Sequence, residues 1–367
     1  MKQKYYSLNR IKKFEAHYNL IFGERSNGKT YACLSEILTY YQQKGKQGAY
    51  IRRWNEDIKK SRMDMLFAGH VQNGTIAKMF KKEGWTDIYF YAGKFYLCNY
   101  DEDGKRHIDT QPFCFVFSLS AMEHDKSISY PNVYIIVFDE FLTRGMYLQN
   151  EYVLLMNVLS TIIRGRKGIV IYLLGNTVNK YSPYFDEFGL KHISKMKPGK
   201  IDLYEYGDSE LKLACEYADS PSPEGKESDV YFAFDNPALK MIVSGEWETA
   251  LYPHLQSKYK RSDVMLDYFV VFQDTILHCE VVYKDNERFT YVHKKTTDIK
   301  NTEDDLIFSF DDSPLLNHRR NMAHPIDETG KILYSHFVNG WVYYQDNDTG
   351  EIIRNYLIAC RNDSVIK

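Results

Sequence analysis

Three short stretches of this sequence carry side chains suited to phosphate chemistry. The first, Gly23-Glu24-Arg25-Ser26-Asn27-Gly28-Lys29-Thr30, completes a G-x-x-x-x-G-K-[ST] loop. Its two glycines permit a tight loop whose backbone N–H groups converge on phosphate oxygens. Lys29 offers a positive charge to β- and γ-phosphates, and the Thr30 hydroxyl offers a ligand to Mg²⁺. The second is Asp139-Glu140, closing the apolar run Val133-Tyr134-Ile135-Ile136-Val137-Phe138. Two acids at a strand tip call for a cation, so Asp139 suits Mg²⁺ and Glu140 suits orienting and deprotonating a water. The third is Asn176, at the end of the run from Ile169 to Leu174, where a polar tip can sense a γ-phosphate or position water. The plain alternatives are a turn that matches by accident and two acids that cap a loop; the joint occurrence disfavours both.

These residues need a scaffold that brings strand tips together. Tyr18 to Phe22 reads as a strand feeding the loop, and Cys33, Leu34, Ile37, Leu38 and Tyr41 recur at helical spacing behind it. Gly48 to Trp54 reads as a strand with a basic, aromatic exit. Asn55 to Gly84 looks helical but irregular, Asp87 to Cys98 looks like a hairpin, and Phe113 to Phe117 like another strand. The Val133–Phe138 run fits a strand buried on both faces of a parallel sheet. Leu154, Leu155, Val158, Leu159, Ile162 and Ile163 mark a helix face ending at Arg164. Strand and helix alternate to about residue 200, which predicts a doubly wound α/β domain over 1–200.

The character then changes. Ser209 to Tyr217 reads as a helical piece, followed by the break Ala218-Asp219-Ser220-Pro221-Ser222-Pro223-Glu224-Gly225. The region 201–256 is therefore expected to be a linker. In 257–367, Met265 to Phe272, Thr275 to Tyr283 and Arg288 to Lys294 read as successive antiparallel strands. A hairpin from Trp341, with Asp346 to Gly350 as its turn region, and a terminal helix from Glu351 complete an α+β domain.

With 47 Lys and Arg against 49 Asp and Glu, the net charge of −2 argues against a protein that coats nucleic acid. It leaves room for one that touches a few phosphates at a time. The six cysteines are scattered without C-x-x-C or Cys/His ligand spacing, so buried reduced thiols are expected and a zinc site is not. The N-terminus lacks a signal-peptide core, and no stretch approaches a membrane span, so a cytoplasmic protein without membrane partners is expected. Asn179-Lys180-Tyr181-Ser182 lacks the Asp of a guanine reader. Together with the paired acids, this favours ATP hydrolysis coupled to movement over signalling or small-metabolite phosphorylation.

Several ordered blocks resemble the DNA-packaging ATPase, or encapsidation protein, of small protein-primed tailed phages, the phi-twenty-nine-like group. They are Ile21 through Ala32, Tyr50-Ile51-Arg52-Arg53, Ser129-Tyr130-Pro131-Asn132-Val133 running on through Ile136 to Phe141, Arg164-Gly165-Arg166, Asn176, and Ser182-Pro183-Tyr184-Phe185. Near the end, Phe337-Val338-Asn339-Gly340-Trp341 and Ile353-Arg354-Asn355 also match, whereas 200–260 matches poorly. Asn55 stands where a basic residue is expected.

The resemblance implies a P-loop NTPase domain of the additional-strand catalytic-glutamate type, a linker, and a degenerate ribonuclease-H-like domain. It implies a homopentameric ring on the portal of a procapsid in the host cytoplasm, absent from the mature virion, driving double-stranded DNA inward with or without a structural packaging RNA. Arg164 resembles an arginine reaching a neighbouring subunit's ATP site, and Lys126 a second trans-acting cation. Their plain alternatives are a helix-C-terminal cation and a solvated surface charge. Arg25 resembles a loop arginine, facing phosphate or solvent. Arg144, in the loop beyond the acids, is a candidate DNA contact, as are Lys59, Lys60 and Arg62, and Lys191, Lys195, Lys197 and Lys200, although charge runs of this size are usually solvated faces.

In the last domain Asp267 and Glu280 lie on strands without a convincing third acid, while Glu303, Asp304, Asp305, Asp311 and Asp312 look like loop charges, so no cleavage is expected. Rival functions are a DNA-stimulated helicase or partitioning ATPase, and a non-catalytic assembly protein locked by ATP.

Overall fold

The computed structural model describes residues 5–124, 128–145, 147–190, 192–207, 209–219, 252–311 and 313–363. The chain divides into two compact units, Met1–Glu248 and Thr249–Lys367.

The first unit is built on strands β1 (Tyr18–Gly23), β2 (Gln47–Arg52), β3 (Asp87–Tyr91), β4 (Lys94–Tyr100), β5 (Arg106–Ile108), β6 (Cys114–Ser118), β7 (Val133–Asp139), β8 (Val170–Asn176), β9 (Ile201–Glu205) and β10 (Lys212–Ala218). They form one sheet in the order β3-β4-β6-β2-β7-β8-β1-β10-β9, with β5 on β4. The six inner strands from β6 to β10 pair in parallel, and both edges are antiparallel. The doubly wound expectation holds for this unit.

Two packed layers explain why the inner strands read as continuous apolar runs. Successive side chains alternate between faces: Leu20, Phe22, Ile136 and Phe138 enter one cluster with the helix Glu151–Ile163. Ile21, Ile135, Val137, Tyr172 and Leu174 enter the other, beneath the helix Lys29–Lys44 with Cys33, Leu34, Ile37 and Leu38. Asn55 to Gly84 forms a 3-10 turn and three short helices, as its irregular pattern suggests.

Ser209 to Tyr217, read as helical from sequence, is instead largely strand β10. It pairs in parallel with β1 from Tyr18↔Leu213 to Gly23↔Ala218 and antiparallel with β9. Its near-continuous burial comes from being sandwiched in the sheet, where pairing overrides the local pattern. The sheet thus runs past residue 200 into the segment expected to be a linker. Trp247 and the Ser220–Gly225 break lie outside the described residues.

The second unit holds β11 (Val264–Phe272), β12 (Thr275–Lys284), β13 (Glu287–Lys295), β14 (Leu306–Ser309), β15 (His318–Arg319) and β16 (Val342–Tyr344), in the order β15-β14-β11-β12-β13-β16. An antiparallel trio continued by parallel β14 and β15 is the sheet that a ribonuclease-H-like expectation requires. Two helices, Glu328–Val338 and Asn347–Asn362, follow.

The expected hairpin after Trp341 does not form. β16 pairs in parallel with β13, and the supposed turn is the capped start of the last helix. The Asp346 carboxylate accepts from the Thr349 amide at 2.7 Å. A residue set typical of turns is also the set that caps helices, so composition alone does not separate the two. Gly350 is required there: a Cβ would lie 2.3 Å from the Tyr252 ring.

Candidate functional site

The candidate residues meet at the carboxyl edge of the first sheet, where β1, β8 and β7 end side by side, the usual ligand position in open α/β sheets. Asn176 stands opposite Gly23 in register, and Asp139 opposite Leu174. A cleft of ≈ 410 Å³ opens between the loop after β1, the acids after β7 and the tip of β8, within the range of small-molecule sites. Arg25, Ser26, Asn27, Gly28, Lys29, Thr30, Asp139, Glu140 and Asn176 all line it.

The loop has the backbone its glycines permit. Gly28 sits at φ 95 and Gly23 at φ 153, where a Cβ would lie 2.8 Å from the Ala218 carbonyl oxygen. The Lys29 ammonium is buried and donates to the carbonyls of Gly23 (3.5 Å) and Glu24 (2.6 Å), and to Asn27 Oδ1 (3.2 Å) and Asn176 Oδ1 (3.4 Å). These acceptors are neutral. Burial lowers the Lys29 amine to about 8, although Asp139, Glu24 and Cys33 pull it back up. Beside it, Asn27 Nδ2 is buried without a hydrogen-bond acceptor. A buried cation held only by neutral oxygens, next to an orphaned donor, is a cradle for an anion.

Across the cleft the Thr30 hydroxyl lies 3.2 Å from Asp139 Oδ2, which also accepts from the Tyr50 hydroxyl at 2.9 Å. Burial pushes the Asp139 carboxyl up, and Arg52 and Tyr50 act against that. One hydroxyl and one carboxylate converging here fit a Mg²⁺ ion that keeps water and phosphate oxygens as its other ligands. Glu140, at φ 63, is more exposed, and its Oε2 accepts from Arg52 Nη2 at 2.7 Å.

Two residues here carry roles that sequence reasoning did not assign. Arg52, at the end of β2, spans Asp57, Asp139 and Glu140 at 3.4, 3.8 and 2.7 Å. Arg53 is buried, pairs with buried Glu151 at 2.7 Å, and donates to the carbonyls of Glu140 (3.0 Å) and Phe141 (2.9 Å). Tyr184 donates to the other Glu151 oxygen at 2.7 Å. Leaving one partner of such a buried pair uncompensated costs about 3–5 kcal/mol, so the backbone behind the acids is clamped. The available signal was the basic exit of a strand adjacent to the acid-bearing strand.

The structure does not bring Arg164 to this cleft. It ends the helix Glu151–Ile163, which runs back from the carboxyl edge over a length of about 20 Å at 1.5 Å per residue. On the same far edge Arg166 donates to the carbonyls of Tyr130, Pro131 and Val133. Arg164 itself adopts φ 44. Arg144 lies in the loop between β7 and that helix, on the cleft's edge of the sheet. Lys126 and Lys191 lie outside the described residues. All six cysteines are buried and free. Among the described residues no helix is long and apolar enough to cross a membrane.

An inserted strand, β8, between the phosphate-loop strand and the acid-bearing strand defines this unit as an additional-strand P-loop NTPase fold. A family model described as Podovirus DNA encapsidation protein (Gp16) matches residues 1–219. The chain belongs to that family. It is 28% identical over 194 residues to the DNA packaging protein of Bacillus phage phi29, covering 52% of this chain and 51% of the relative. Against the DNA packaging protein of Bacillus phage B103 it is 30% identical over 176 residues, covering 47% and 48%. The matched region thus spans about half the length of these curated relatives. In fold, the chain is similar to a subunit of the bacteriophage Phi-29 viral genome packaging motor assembly, with TM-score 0.57, 21% identity and 96% and 97% of the two chains covered. It is also similar to the Phi-28 gp11 DNA packaging motor, with TM-score 0.51, 17% identity and 97% and 98% covered.

Proposed function

We propose that this chain is the ATP-hydrolysing subunit of a ring motor that drives double-stranded phage DNA into a procapsid. The observation that carries the reading is the meeting of Lys29, Asp139, Glu140 and Asn176 at three adjacent strand tips, in a chain of the encapsidation family. The loop from Gly23 to Thr30, with Lys29, binds the β- and γ-phosphates. Thr30 and Asp139 would hold Mg²⁺, which would supply neutralisation of charge on the phosphate oxygens. Glu140 accepts the proton of the water whose oxygen attacks the γ-phosphorus as the bond to the ADP oxygen breaks. Asn176 orients that water or the γ-phosphate, and Arg25 stands at the cleft rim. Arg164, and with it Lys126, acts on a neighbouring subunit's site, since its own cleft lies a helix length away.

The partners in this reading are DNA, with Arg144 as a contact, the portal, and further copies in a pentameric ring, in the host cytoplasm. The second unit docks on the portal, on a packaging RNA or on DNA. The test is Lys29→Ala in DNA-stimulated ATP turnover and in DNA encapsidation with portal-bearing procapsids. Loss of a charge-assisted bond to phosphate should weaken ATP binding by about 10–100-fold, from about 1.5–3 kcal/mol, and packaging should stop. Packaging that proceeds normally would overturn the assignment.

A pH dependence follows from burial of the same lysine. Its amine sits near 8 in the ligand-free chain, and a triphosphate beside it favours the protonated form, so binding above pH 8 takes up a proton. ATP affinity should be flat below about pH 7 and fall up to about tenfold per unit above pH 8. Calorimetry in buffers of different ionisation heat reads that proton directly; affinity rising with pH would contradict the sign.

A further inference from the structure

The second unit's central strands present two faces. Tyr268, Val270, Leu277, Cys279 and Val292 are buried on one of them. The opposite face carries Asp267, Glu280 and Tyr291 in one row and Phe269, His278 and His293 in the next. Period-two alternation places His278 and Glu280 side by side on β12, and the register sets His293 of β13 directly across from His278.

The ligating atoms of His278, Glu280 and His293 all lie within 4.8 Å of one another. Their side chains are 21%, 13% and 28% exposed, sheltered yet reachable by an ion. His278 Nε2 lies 2.8 Å from Asp267 Oδ1, and His293 Nδ1 lies 3.3 Å from the Lys294 carbonyl oxygen. With those nitrogens donating, Nδ1 of His278 and Nε2 of His293 are the ring nitrogens left to face an ion. In the metal-free chain a proton bridges the 3.5 Å approach of His293 Nε2 to Glu280 Oε2, and a bound ion takes its place.

We propose that His278, Glu280 and His293 form a binding site for a divalent transition-metal ion, with zinc the ion it fits best, in the second unit. Two imidazoles and one carboxylate are a three-residue set that leaves a fourth position for water. Asp267 takes the part of the supporting carboxylate that fixes a ligand histidine's orientation. Zn–N distances of about 2.0–2.1 Å require the three ligand atoms to draw in from their present spacing when the ion binds.

Two neighbours compete with the ion. Arg261 donates to Glu280 Oε1 at 3.2 Å and also to Asp267, and the Tyr259 hydroxyl donates to Glu280 Oε2. Arg261 is 69% exposed and keeps Asp267 as its partner when it releases Glu280. The set differs in kind from the hydroxyl and carboxylate at Thr30 and Asp139, which suit Mg²⁺; imidazole selects softer ions. The site stands independently of the ATP-hydrolysis reading.

The experiment uses the full chain, chelator-treated and free of nucleotide. Zinc is titrated by calorimetry, and Co²⁺ is added as a visible probe. The expected result is a site whose zinc affinity falls by about 100-fold or more in His293→Gln, and by about 10–100-fold in Asp267→Asn, the range for a supporting carboxylate. Co²⁺ should give the visible bands of a four-coordinate nitrogen and oxygen site, and an equal concentration of Mg²⁺ should not displace zinc. Circular dichroism of metal-free His293→Gln checks folding; His278→Gln provides the same test if that variant does not fold. No zinc uptake by the wild-type chain, uptake unchanged in both glutamine variants, thiolate bands with Co²⁺, or equal competition by Mg²⁺ would each overturn the proposal.

Discussion

Replacing Arg164 by asparagine is expected to lower DNA-stimulated ATP turnover of the assembled ring by about 10³–10⁵-fold, the scale of an arginine supplied to a phosphoryl-transfer site. The residue lies at the end of a helix that runs away from its own cleft, so any contact with a triphosphate must be made in another copy. Asparagine is the informative choice because Arg164 holds φ 44, a left-handed conformation that asparagine adopts at less cost than alanine. A cation that merely complements the helix end contributes only about 0.3–1 kcal/mol, and its loss would leave turnover nearly intact. Mixing Arg164→Asn chains with Glu140→Gln chains sharpens the test. Mixed rings contain junctions with an intact acid on one side and an intact arginine on the other, and activity should reappear there. Absence of recovery at every ratio, with co-assembly confirmed, would count against action across the interface.

Glu140→Gln is expected to keep ATP binding and to lose about 10²–10⁴-fold in single-turnover hydrolysis, the usual worth of a positioned general base. The amide is isosteric but cannot take a proton from water. The backbone should not move: the Phe141 amide donates to the Leu174 carbonyl at 3.0 Å, and Arg53 grips the carbonyls of Glu140 and Phe141. Arg52 complicates the reading in a useful way. It holds the Glu140 carboxylate at 2.7 Å and must release or re-aim it for that oxygen to meet a water at the γ-phosphate. Arg52→Gln should therefore change turnover without a comparable loss of ATP affinity. Unchanged hydrolysis in Glu140→Gln, with ATP bound and DNA present, would remove the acid from the mechanism and favour an assembly protein locked by nucleotide.

The phosphate loop, the acid pair and Asn176 were legible because each lies within a few residues of the strand that presents it. A doubly buried strand writes itself as an unbroken apolar run, and a polar residue at its end stands out. Arg52 and Arg53 were visible as a basic exit, but their partners Glu140 and Glu151 lie 88 and 98 residues away in the chain. Strand β10 was misread because its place is decided by β1, almost two hundred residues earlier in the chain. The helix start at Asp346 was misread because turns and helix caps draw on the same short polar residues.

Local sequence supplied the side-chain types on which the proposed chemistry of the cleft draws: a glycine-bearing loop open to an anion, one acid that can face a metal ion and one that can face a water. These properties reside in local backbone freedom and side-chain type, and they survive whatever the distant chain does. Tertiary structure alone decided which groups restrain that chemistry and where others gather. Strand order set Arg52 against Glu140, helix direction carried Arg164 to the opposite edge, and sheet register brought His278, Glu280 and His293 together. Pairing between distant segments depends on the whole folded sheet, so no local pattern announces it.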